Sequence, residues 1–184
     1  MFLLRGKKIS LVPFSQEHIE NPDYFGWLTD YEVVKTINRL DYIMPVSMEA
    51  VRDYCQAVLA SNSDIFFAIK LSDDDRFVGT LRVAQINWRA QAADIGMLVG
   101  DRSVWGQGVA TDAIRVAGTY LFQNLGLRKL TAGLMAVNEP MRRVFLGLGF
   151  QEEGRLRMQD RYEDTYCDHI YLGCFKDEFR FETE

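Results

Sequence analysis

A glycine-rich stretch near the middle of the chain has residue types suited to binding phosphate. Residues 101–113 read DRSVWGQGVATDA, follow an apolar run and precede a segment of helical periodicity. A turn of this kind leaves backbone N–H groups pointing outward at a helix N-terminus, where the helix dipole favours negative charge. Gly106 and Gly108 lack the Cβ atoms that would block a pyrophosphate, Ala110 keeps the first turn small, and Thr111 adds a hydroxyl donor. The alternative is that the glycines only shape a tight turn.

Two common phosphate-binding loops are excluded by the spacing. A Walker loop needs GxxxxGK[ST], and no Lys follows Gly108. A dinucleotide-binding fingerprint needs GxGxxG, which the stretch also lacks. The ligand therefore has to be identified from other residues.

The sequence resembles the GNAT superfamily of acetyl-CoA-dependent N-acetyltransferases, whose cofactor loop has the form [QR]xxGx[GA]. Residues 105–110 match this form except that Trp105 stands in place of Gln or Arg. A Trp at this position is similar to the branch that contains ribosomal-protein, spermidine and amino-sugar acetyltransferases. Residues 138–150, NEPMRRVFLGLGF, resemble the Asn-led helix of the family that closes in Gly-Phe. The stretches GWLTDYEVVKTIN (26–38) and DHIYLG (168–173) extend the resemblance over nearly the whole chain.

The resemblance implies acetyl-CoA as the acetyl donor. A bulge in the strand before the loop would separate two neighbouring strands, and the pantetheine arm would pair with the exposed strand edge. Asn138 would bond to the arm or its neighbouring backbone, although Asn is also a favoured helix N-cap. The expected cofactor-binding residues are Leu98, Val99, Gly100, Trp105, Gly106, Gln107, Gly108, Val109, Ala110, Thr111 and Asn138.

Acetyl transfer by direct attack needs a neutral amine, so a proton acceptor is expected. Asp94 stands where related enzymes often carry a Glu for this purpose, and it is the predicted catalytic base; the alternative is a strand carboxylate paired with an Arg. The usual acids of the family are missing, because Phe145 and Met141 occupy their positions. Either the thiolate leaves unassisted, or a residue of the last hairpin protonates it, the weak candidates being Tyr162, Tyr166 and Asp168.

Two further points concern the chemistry. The backbone N–H of Leu98 or Val99 is the expected donor to the oxyanion, since a bulged strand leaves such groups unpaired. Cys167 and Cys174 are the cysteines of the C-terminal part, and buried strand thiols are common, so an acyl-enzyme is not favoured.

The segment before residue 63 is expected to form the acceptor wall, and its polar residues do not single out one amine. A nucleotide-linked amino sugar is slightly favoured by the FGWLTDYEVVKTINRLD stretch, with a protein N-terminus or a polyamine as the others. The competing function is a non-catalytic acetyl-CoA-binding regulatory module. A structural interpretation is that Trp27, Leu28, Val33, Val34 and Ile37 form a core helix face. The polar residues are Asp23, Tyr24, Asp30, Tyr31, Glu32, Asn38, Arg39, Asp41 and Tyr42.

Hydrophobic periodicity and turn residues give the elements that position these groups. They imply one α+β domain over residues 1–184, with a mixed, mostly antiparallel sheet of about seven strands, splayed at the cofactor site and flanked by helices on both faces. The predicted strands are 9–12, 65–71, 77–86, 92–99, 129–137, 150–158 and 168–174, and the helical segments are 15–28, 47–59, 110–125 and 140–148.

Composition and charge limit the partners, the location and the metal content that the protein is expected to have. A net charge of −5 without a Lys/Arg block argues against nucleic acid. No signal sequence or apolar stretch of about 18 residues is seen, so a soluble cytoplasmic protein without a membrane partner is expected. Three separated cysteines and two histidines predict no metal site. Exposed edge strands leave a homodimer open.

Overall fold

The computed structural model describes residues 3–37 and 46–181. The described helices are α1 (Gln16–Ile19), α2 (Pro22–Thr29), α3 (Tyr31–Val34), α4 (Met48–Leu59), α5 (Val109–Thr119) and α6 (Glu139–Gly147). The described strands are β1 (Leu4–Arg5), β2 (Ile9–Pro13), β3 (Ile65–Leu71), β4 (Phe77–Asn87), β5 (Ala92–Val99), β6 (Lys129–Met135), β7 (Gln151–Tyr162) and β8 (Thr165–Phe175).

The helix boundaries follow local signals with two differences from prediction. Ser47 caps α4 as expected, since its Oγ accepts from the N–H of Ala50 at 3.1 Å. The predicted helix over residues 15–28 is two helices, because Pro22 starts a new one at its favoured N1 position after the Asn21 cap. The central helix continues as a π-helical turn over Tyr120–Asn124, and Gly126 follows with φ 70°.

The strands form one mixed sheet in the order β1-β2-β3-β4-β5-β6-β8-β7. All neighbouring pairs are antiparallel except β5 and β6. The predicted α+β fold is confirmed, and the strand beyond the predicted seven is the two-residue β1.

β5 and β6 pair only at their beginnings. The parallel register runs from Ala92↔Lys129 to Asp94↔Thr131, and no pairing follows it. Beyond that point β5 stays paired with β4 up to Val99, while β6 stays paired with β8 up to Met135. Each strand follows its other neighbour, so the sheet is split between them as predicted.

A bulge was expected in the strand before the loop, and the backbone hydrogen bonds there agree with it. The β4–β5 register is unbroken from Ala84↔Asp94 to Gly79↔Val99, and directly after it the N–H groups of Gly100 and Asp101 both donate to the Val78 carbonyl, at 2.9 and 3.1 Å. Two consecutive donors on one opposing carbonyl are typical of a bulge. A second irregularity lies between Ala84 and Asn87, where Gln85 has φ 53°.

Helices cover both faces of the sheet and create two apolar clusters. One cluster packs α5 and α6 against the sheet and includes Ile114 and Phe145. The other packs α1 to α4 on the opposite face and includes Val34 and Val58. The split between β5 and β6 thus opens between two buried layers.

Gly100 provides a stability test of the packing beside the split. A Cβ added there would overlap the indole of Trp27 in α2, so Gly100→Ala should destabilise the fold by about 1–3 kcal/mol through overpacking. Gly26, one residue before Trp27, has nothing within 4 Å of an added Cβ, and Gly26→Ala should stabilise by about 0.4–1 kcal/mol. Urea unfolding of both variants measures this. Equal effects would contradict the Trp27 packing.

Candidate active site

A cavity of about 330 Å³ lies at the split in the sheet. Its floor is the face of the sheet that turns toward α2, α3 and α4, and its wall includes Tyr24 and Tyr54. On the other side it reaches Asn138 and Phe145 of the α6 segment. The cavity therefore connects the two sides of the sheet through the gap between β5 and β6.

Strand pairing explains which side chains face the cavity. Side chains of directly paired residues lie on the same face of a sheet. Asp94 pairs with Ala84 on one side and with Thr131 on the other. Gly96 pairs with Arg82, and because it has no side chain, the sheet surface is exposed at this position. The Asp94 carboxylate and this uncovered sheet surface are thus adjacent at the start of the split.

The predicted base, Asp94, lies in this cavity. Its Oδ2 accepts from the Thr131 hydroxyl at 3.0 Å. Burial raises the pKa of the Asp94 carboxyl, and the Thr131 hydrogen bond and the charges of Arg82 and His169 only partly oppose this. The alternative of an ion pair with Arg is not what the structure has, since Arg82 binds Asp64 at 2.7 Å and its Nη1 donates to Tyr54.

Of the three residues expected at the strand edge, Val99 presents its amide to the split. The N–H of Gly100 donates to the Val78 carbonyl at 2.9 Å. Since N–H groups alternate in direction along an antiparallel strand, the N–H of Leu98 also points to β4, and that of Val99 points to the gap. The Val99 carbonyl accepts from Trp105 Nε1 at 2.8 Å, which ties the loop to the strand.

The glycine-rich loop has the backbone geometry of an anion site. Gly106 and Gly108 have φ values of 74° and 81°, which favour glycine. The N–H of Asp112 makes the first bond of α5, to the Gly108 carbonyl at 3.0 Å. The amides of residues 109–111 precede that bond and have no acceptor within the helix. The amide of Gln107 is instead directed to the Val104 carbonyl at 3.3 Å.

Two residues that sequence reasoning missed hold this loop. The buried Asp112 carboxylate accepts from the backbone N–H groups of Lys8 and Ile9 at 2.7 and 3.2 Å. The Lys8 ammonium donates to the Gln107 carbonyl at 2.6 Å. An ammonium therefore stands beside the loop amides, and no local sequence signal connects positions 99 residues apart.

Asn138 connects α6 to the opposite wall of the cavity. Its Oδ1 accepts from the N–H of Met141 at 3.4 Å, so the N-cap interpretation is confirmed. Its Nδ2 donates to the Thr36 hydroxyl at 3.1 Å. Contact with the pantetheine arm stays a prediction.

The structure shows the surroundings of Phe145 and of two of the proton donors considered from sequence, Tyr166 and Asp168. Phe145 is buried with its ring 4.9 Å from that of Phe150, so α6 offers no phenol. Asp168 has a lowered pKa because it accepts from the N–H of Met158 and from Arg155. Tyr166 is 57% exposed.

The thiols are poor nucleophiles. Burial raises the pKa of Cys174 to about 12. Burial also raises the pKa of Cys167. Because the thiolate is the reactive form, both shifts agree with the expectation that no acyl-enzyme forms.

A histidine–aspartate pair also reaches the cavity. His169 Nδ1 lies 2.6 Å from Oδ2 of Asp160, which is fully buried. His169 lines the cavity together with Asp94. Sequence reasoning missed this pair, and the signal available was a histidine with aspartates nearby in a strand hairpin.

The acceptor wall is partly core, as its structural interpretation predicted. Leu28, Val33 and Val34 are buried in the helical-side cluster. Asp30 lies 3.5 Å from Arg102, and Glu32 binds Lys35 at 2.8 Å, so both carboxylates have partners outside the cavity. The positions Asn38, Arg39, Asp41 and Tyr42 lie outside the described residues.

Comparison with known proteins identifies the family and agrees with the fold. The sequence profile of the family described as acetyltransferase (GNAT) domain matches residues 8–151. A probable N-acetyltransferase, YjcK of Bacillus subtilis, is 30% identical over 181 residues, covering 93% of this chain and 96% of the relative. The human alpha/beta-tubulin-N-acetyltransferase 9 is 25% identical, with 82% of this chain and 75% of the relative covered.

Solved structures show the same fold. Spermidine N-acetyltransferase from Vibrio cholerae, in complex with CoA and spermine, superposes with a TM-score of 0.81 at 16% identity, covering 92% of this chain and 96% of that one. Mycobacterium smegmatis RimJ, in complex with CoA-disulfide, gives 0.80 at 22% identity, with coverage of 96% and 87%.

The chain is thus an acetyl-transferring enzyme that uses acetyl-CoA. It belongs to the GNAT acetyltransferase family. In residues 3–37 and 46–181, no helix is long and apolar enough to cross a bilayer.

The raised pKa of Asp94 predicts how the stability of the protein depends on pH. A carboxyl whose pKa is higher in the folded than in the unfolded state loses stability as pH rises from the unfolded value to the folded value. Asp94→Asn keeps an acceptor for Thr131 and removes this loss, so at pH 7 its melting temperature should rise by about 2–4 °C. At pH 3 it should match the wild type. Calorimetry at both pH values measures the difference.

Asp64→Asn is the control of opposite sign. Burial acts to raise the pKa of Asp64, but hydrogen bonds from Ser61 and Arg82 outweigh it and lower the pKa overall. Asp64→Asn should therefore destabilise the protein at pH 7. A melting temperature of Asp94→Asn below that of the wild type at pH 7 would contradict the burial cost at Asp94.

Proposed function

We propose that this enzyme transfers the acetyl group of acetyl-CoA directly to a primary amine that enters from the side of α2, α3 and α4. The observation that carries this proposal is that Asp94 and the free edge of β5 line one cavity. A carboxylate attracts an ammonium, and a strand edge offers unpaired backbone groups to the donor. Direct transfer also fits the raised pKa values of Cys167 and Cys174.

The donor fits the loop side of the split. The amides of residues 109–111 and the Lys8 ammonium supply hydrogen bonds and positive charge for a pyrophosphate. Gly106 and Gly108 keep Cβ atoms away from it. Acetyl-CoA supplies an activated acetyl carbon as its thioester. Residues 105–111 and Asn138 remain the proposed cofactor contacts.

Asp94 is the proposed acceptor of the first proton from the amine. An alkylammonium has a pKa near 10, so only about one molecule in a thousand is neutral at pH 7. A half-buried carboxylate whose pKa is raised toward neutrality is a stronger base than an ordinary Asp. Asp94 thus binds the ammonium by charge and takes a proton from it, directly or through a water.

The Val99 amide is the proposed donor to the oxyanion. Its N–H faces the split, whereas the N–H of Leu98 points to β4. The Trp105 indole already occupies the Val99 carbonyl. The backbone N–H of Val99 is therefore available to stabilise the negative charge that develops on the oxyanion.

The charges of the cavity favour a cationic amine as the acceptor. Asp94 is accompanied by Arg82, whose guanidinium is bound by Asp64 and so has little capacity left for a phosphate. This supports a polyamine or a protein N-terminus over the nucleotide-linked amino sugar slightly favoured by the sequence. Among similar proteins, one is named for spermidine and another for tubulin.

Assembly and location stay predictions. β1 and β7 are the two edges of the sheet and are the strands available for pairing in a homodimer. A cytoplasmic location agrees with the use of acetyl-CoA.

An amine panel tests the proposed function. Purified protein is mixed with acetyl-CoA and either spermidine, a peptide with a free N-terminus or a UDP-linked amino sugar, and thiol release is followed. Spermidine or the peptide should give acceptor-dependent release. Asp94→Asn should lower kcat/KM for the amine by about 10²–10⁴-fold, while Asp53→Asn, a change in α4 that removes the same charge outside the cavity lining, should leave it near the wild-type value. Normal acetyl-CoA binding without release from any amine would rule the proposal out.

Lys8 is expected to contribute to donor binding. Lys8→Ala removes an ammonium beside the loop but keeps the backbone N–H that binds Asp112. The Kd of CoA should rise about 5–10-fold in low salt, equivalent to a charge-assisted hydrogen bond of about 1–1.5 kcal/mol, and the difference should shrink in high salt. Lys8→Arg, which keeps the charge, is the control. Calorimetric titration showing unchanged affinity for Lys8→Ala would contradict the assignment.

A further inference from the structure

The strand β7 is solvent-facing along nearly its whole length, with one exception. Among its twelve residues only Asp160 is buried, and its exposed fraction is 0%. A buried carboxylate is costly unless it is paired and hydrogen-bonded. Its partner is His169 Nδ1 on the neighbouring strand β8, at 2.6 Å. The one buried side chain of β7 therefore binds and orients the imidazole of His169.

The backbone of β7 is distorted where it delivers this carboxylate. Its register with β8 shifts between Leu156 and Asp160, and Met158 within the shift has φ 52°. A non-glycine residue in this region costs about 1–2 kcal/mol. The Met158 N–H donates to Asp168 Oδ1 at 3.0 Å, which stabilises the distortion. Such irregularities re-aim a side chain, and here the side chain that follows is Asp160.

The strand on the other side of His169 makes room for the ring. A Cβ added to Gly133 of β6 would lie 2.7 Å from His169 Nε2. With no side chain at this position, the imidazole extends over β6 toward the split. Because Nδ1 faces Asp160, Nε2 is the nitrogen left for a ligand, and the His169 side chain is 17% exposed.

His169 of β8 and Asp94 of β5 face the same cavity. Both line the cavity on the face where the acceptor is proposed to enter. They are close enough to interact electrostatically, since the charge of His169 acts to lower the pKa of Asp94. The imidazole stands in the arrangement of a general base whose far nitrogen is oriented by a carboxylate.

We propose that His169, oriented by Asp160, is a second proton-transfer residue of this site, acting on the amine nitrogen together with Asp94. The inference rests on the proposed function. His169 is a catalytic residue in this scheme because it touches the amine, and Asp160 is a positioning residue because it acts through the imidazole.

The amine nitrogen has to lose two protons, and the proposal gives each proton its own acceptor. The amine enters as an ammonium and leaves as an amide: one C–N bond forms, the C–S bond breaks, and the electron pair of that bond stays on sulfur. The nitrogen loses two protons, of which Asp94 takes the first, before attack, and His169 Nε2 takes the second as the C–N bond forms. The imidazolium returns one proton to the thiolate, directly or through a water, and Asp94 passes the other to solvent.

This scheme accounts for the missing acid of α6. Phe145 and Met141 cannot protonate the thiolate. An imidazole that has just received a proton can donate it, so one residue serves first as base and then as acid. The buried Asp160 stabilises the positive charge held in between.

The kinetic test uses His169→Ala with acetyl-CoA and whichever panel amine the wild type accepts. The kcat should fall about 100-fold or more, with the KM of acetyl-CoA within twofold, and added imidazole should restore part of the rate. Tyr171→Phe is the matched control, since it keeps the ring that packs 4.8 Å from His169. Gly133→Ala, which displaces Nε2 without removing it, should lower kcat by about 10-fold.

The role of Asp160 is tested by combination. Asp160→Asn should lower kcat while leaving the KM of acetyl-CoA unchanged, and the double variant with His169→Ala should be no slower than His169→Ala alone. Melting temperatures identify variants that fail to fold, and Gly133→Ala keeps the test informative in that case.

A spectroscopic measurement addresses the geometry without turnover. The chain has two histidines, so a His18→Gln variant assigns the ¹⁵N signals of His169. At alkaline pH the proton should reside on Nδ1 in the wild type, and this preference should be lost in Asp160→Asn.

The outcomes separate the two proposals. A wild type that binds acetyl-CoA but releases no CoA with any amine overturns the proposed function and this inference with it. An active wild type with unimpaired His169→Ala, no rescue by imidazole, or a proton on Nε2 overturns the inference alone.

Discussion

The parting of β5 from β6 is the constraint on which the rest of the molecule depends. Three residue pairs hold the strands together, ending at Asp94 and Thr131, and beyond them each strand keeps its other neighbour. An open strand edge inside a sheet is costly in unpaired backbone groups. The fold tolerates it because helices cover both faces and a ligand can pair with the edge. The open edge is therefore the proposed binding surface for the donor.

The split also fixes where chemistry can occur. Asp94 lies at its apex, the Val99 amide faces into it from β5, and His169 reaches it across β6. These groups belong to separate strands whose relative positions are set by the sheet, which is more rigid than a loop. The glycine-rich loop follows the end of β5, where Trp105 binds the Val99 carbonyl, and Lys8 lies beside the loop. In the proposed function, donor and acceptor meet where the strands separate.

Two buried carboxylates and the half-buried Asp94 show how the fold uses charge. Asp112 is satisfied by two backbone N–H groups and fixes the loop helix to the first strands. Asp160 is satisfied by an imidazole. Asp94 accepts from one hydroxyl, and burial raises its pKa. A carboxylate left in that state is suited to accept a proton, at a cost in stability.

The sequence by itself determined the fold class, the order of the elements and the glycine-rich turn into α5, because hydrophobic period, caps and glycine positions act over a few residues. Asp94 lies in the predicted strand and lines the cavity, and its role as the base stays a prediction. The helix predicted over residues 15–28 was not divided at Pro22. This error concerns a boundary, which local patterns define least well.

Only the tertiary structure decided which distant residues share a site. Lys8 meets Gln107 across 99 positions, and Gly133 makes room for His169 because β8 inserts between β6 and β7. Strand pairing of this kind is set by the packing of the whole chain and leaves no periodic signal in the segments that pair. The acceptor side was underdetermined for the same reason, since its charges acquire meaning only once their partners in space are known.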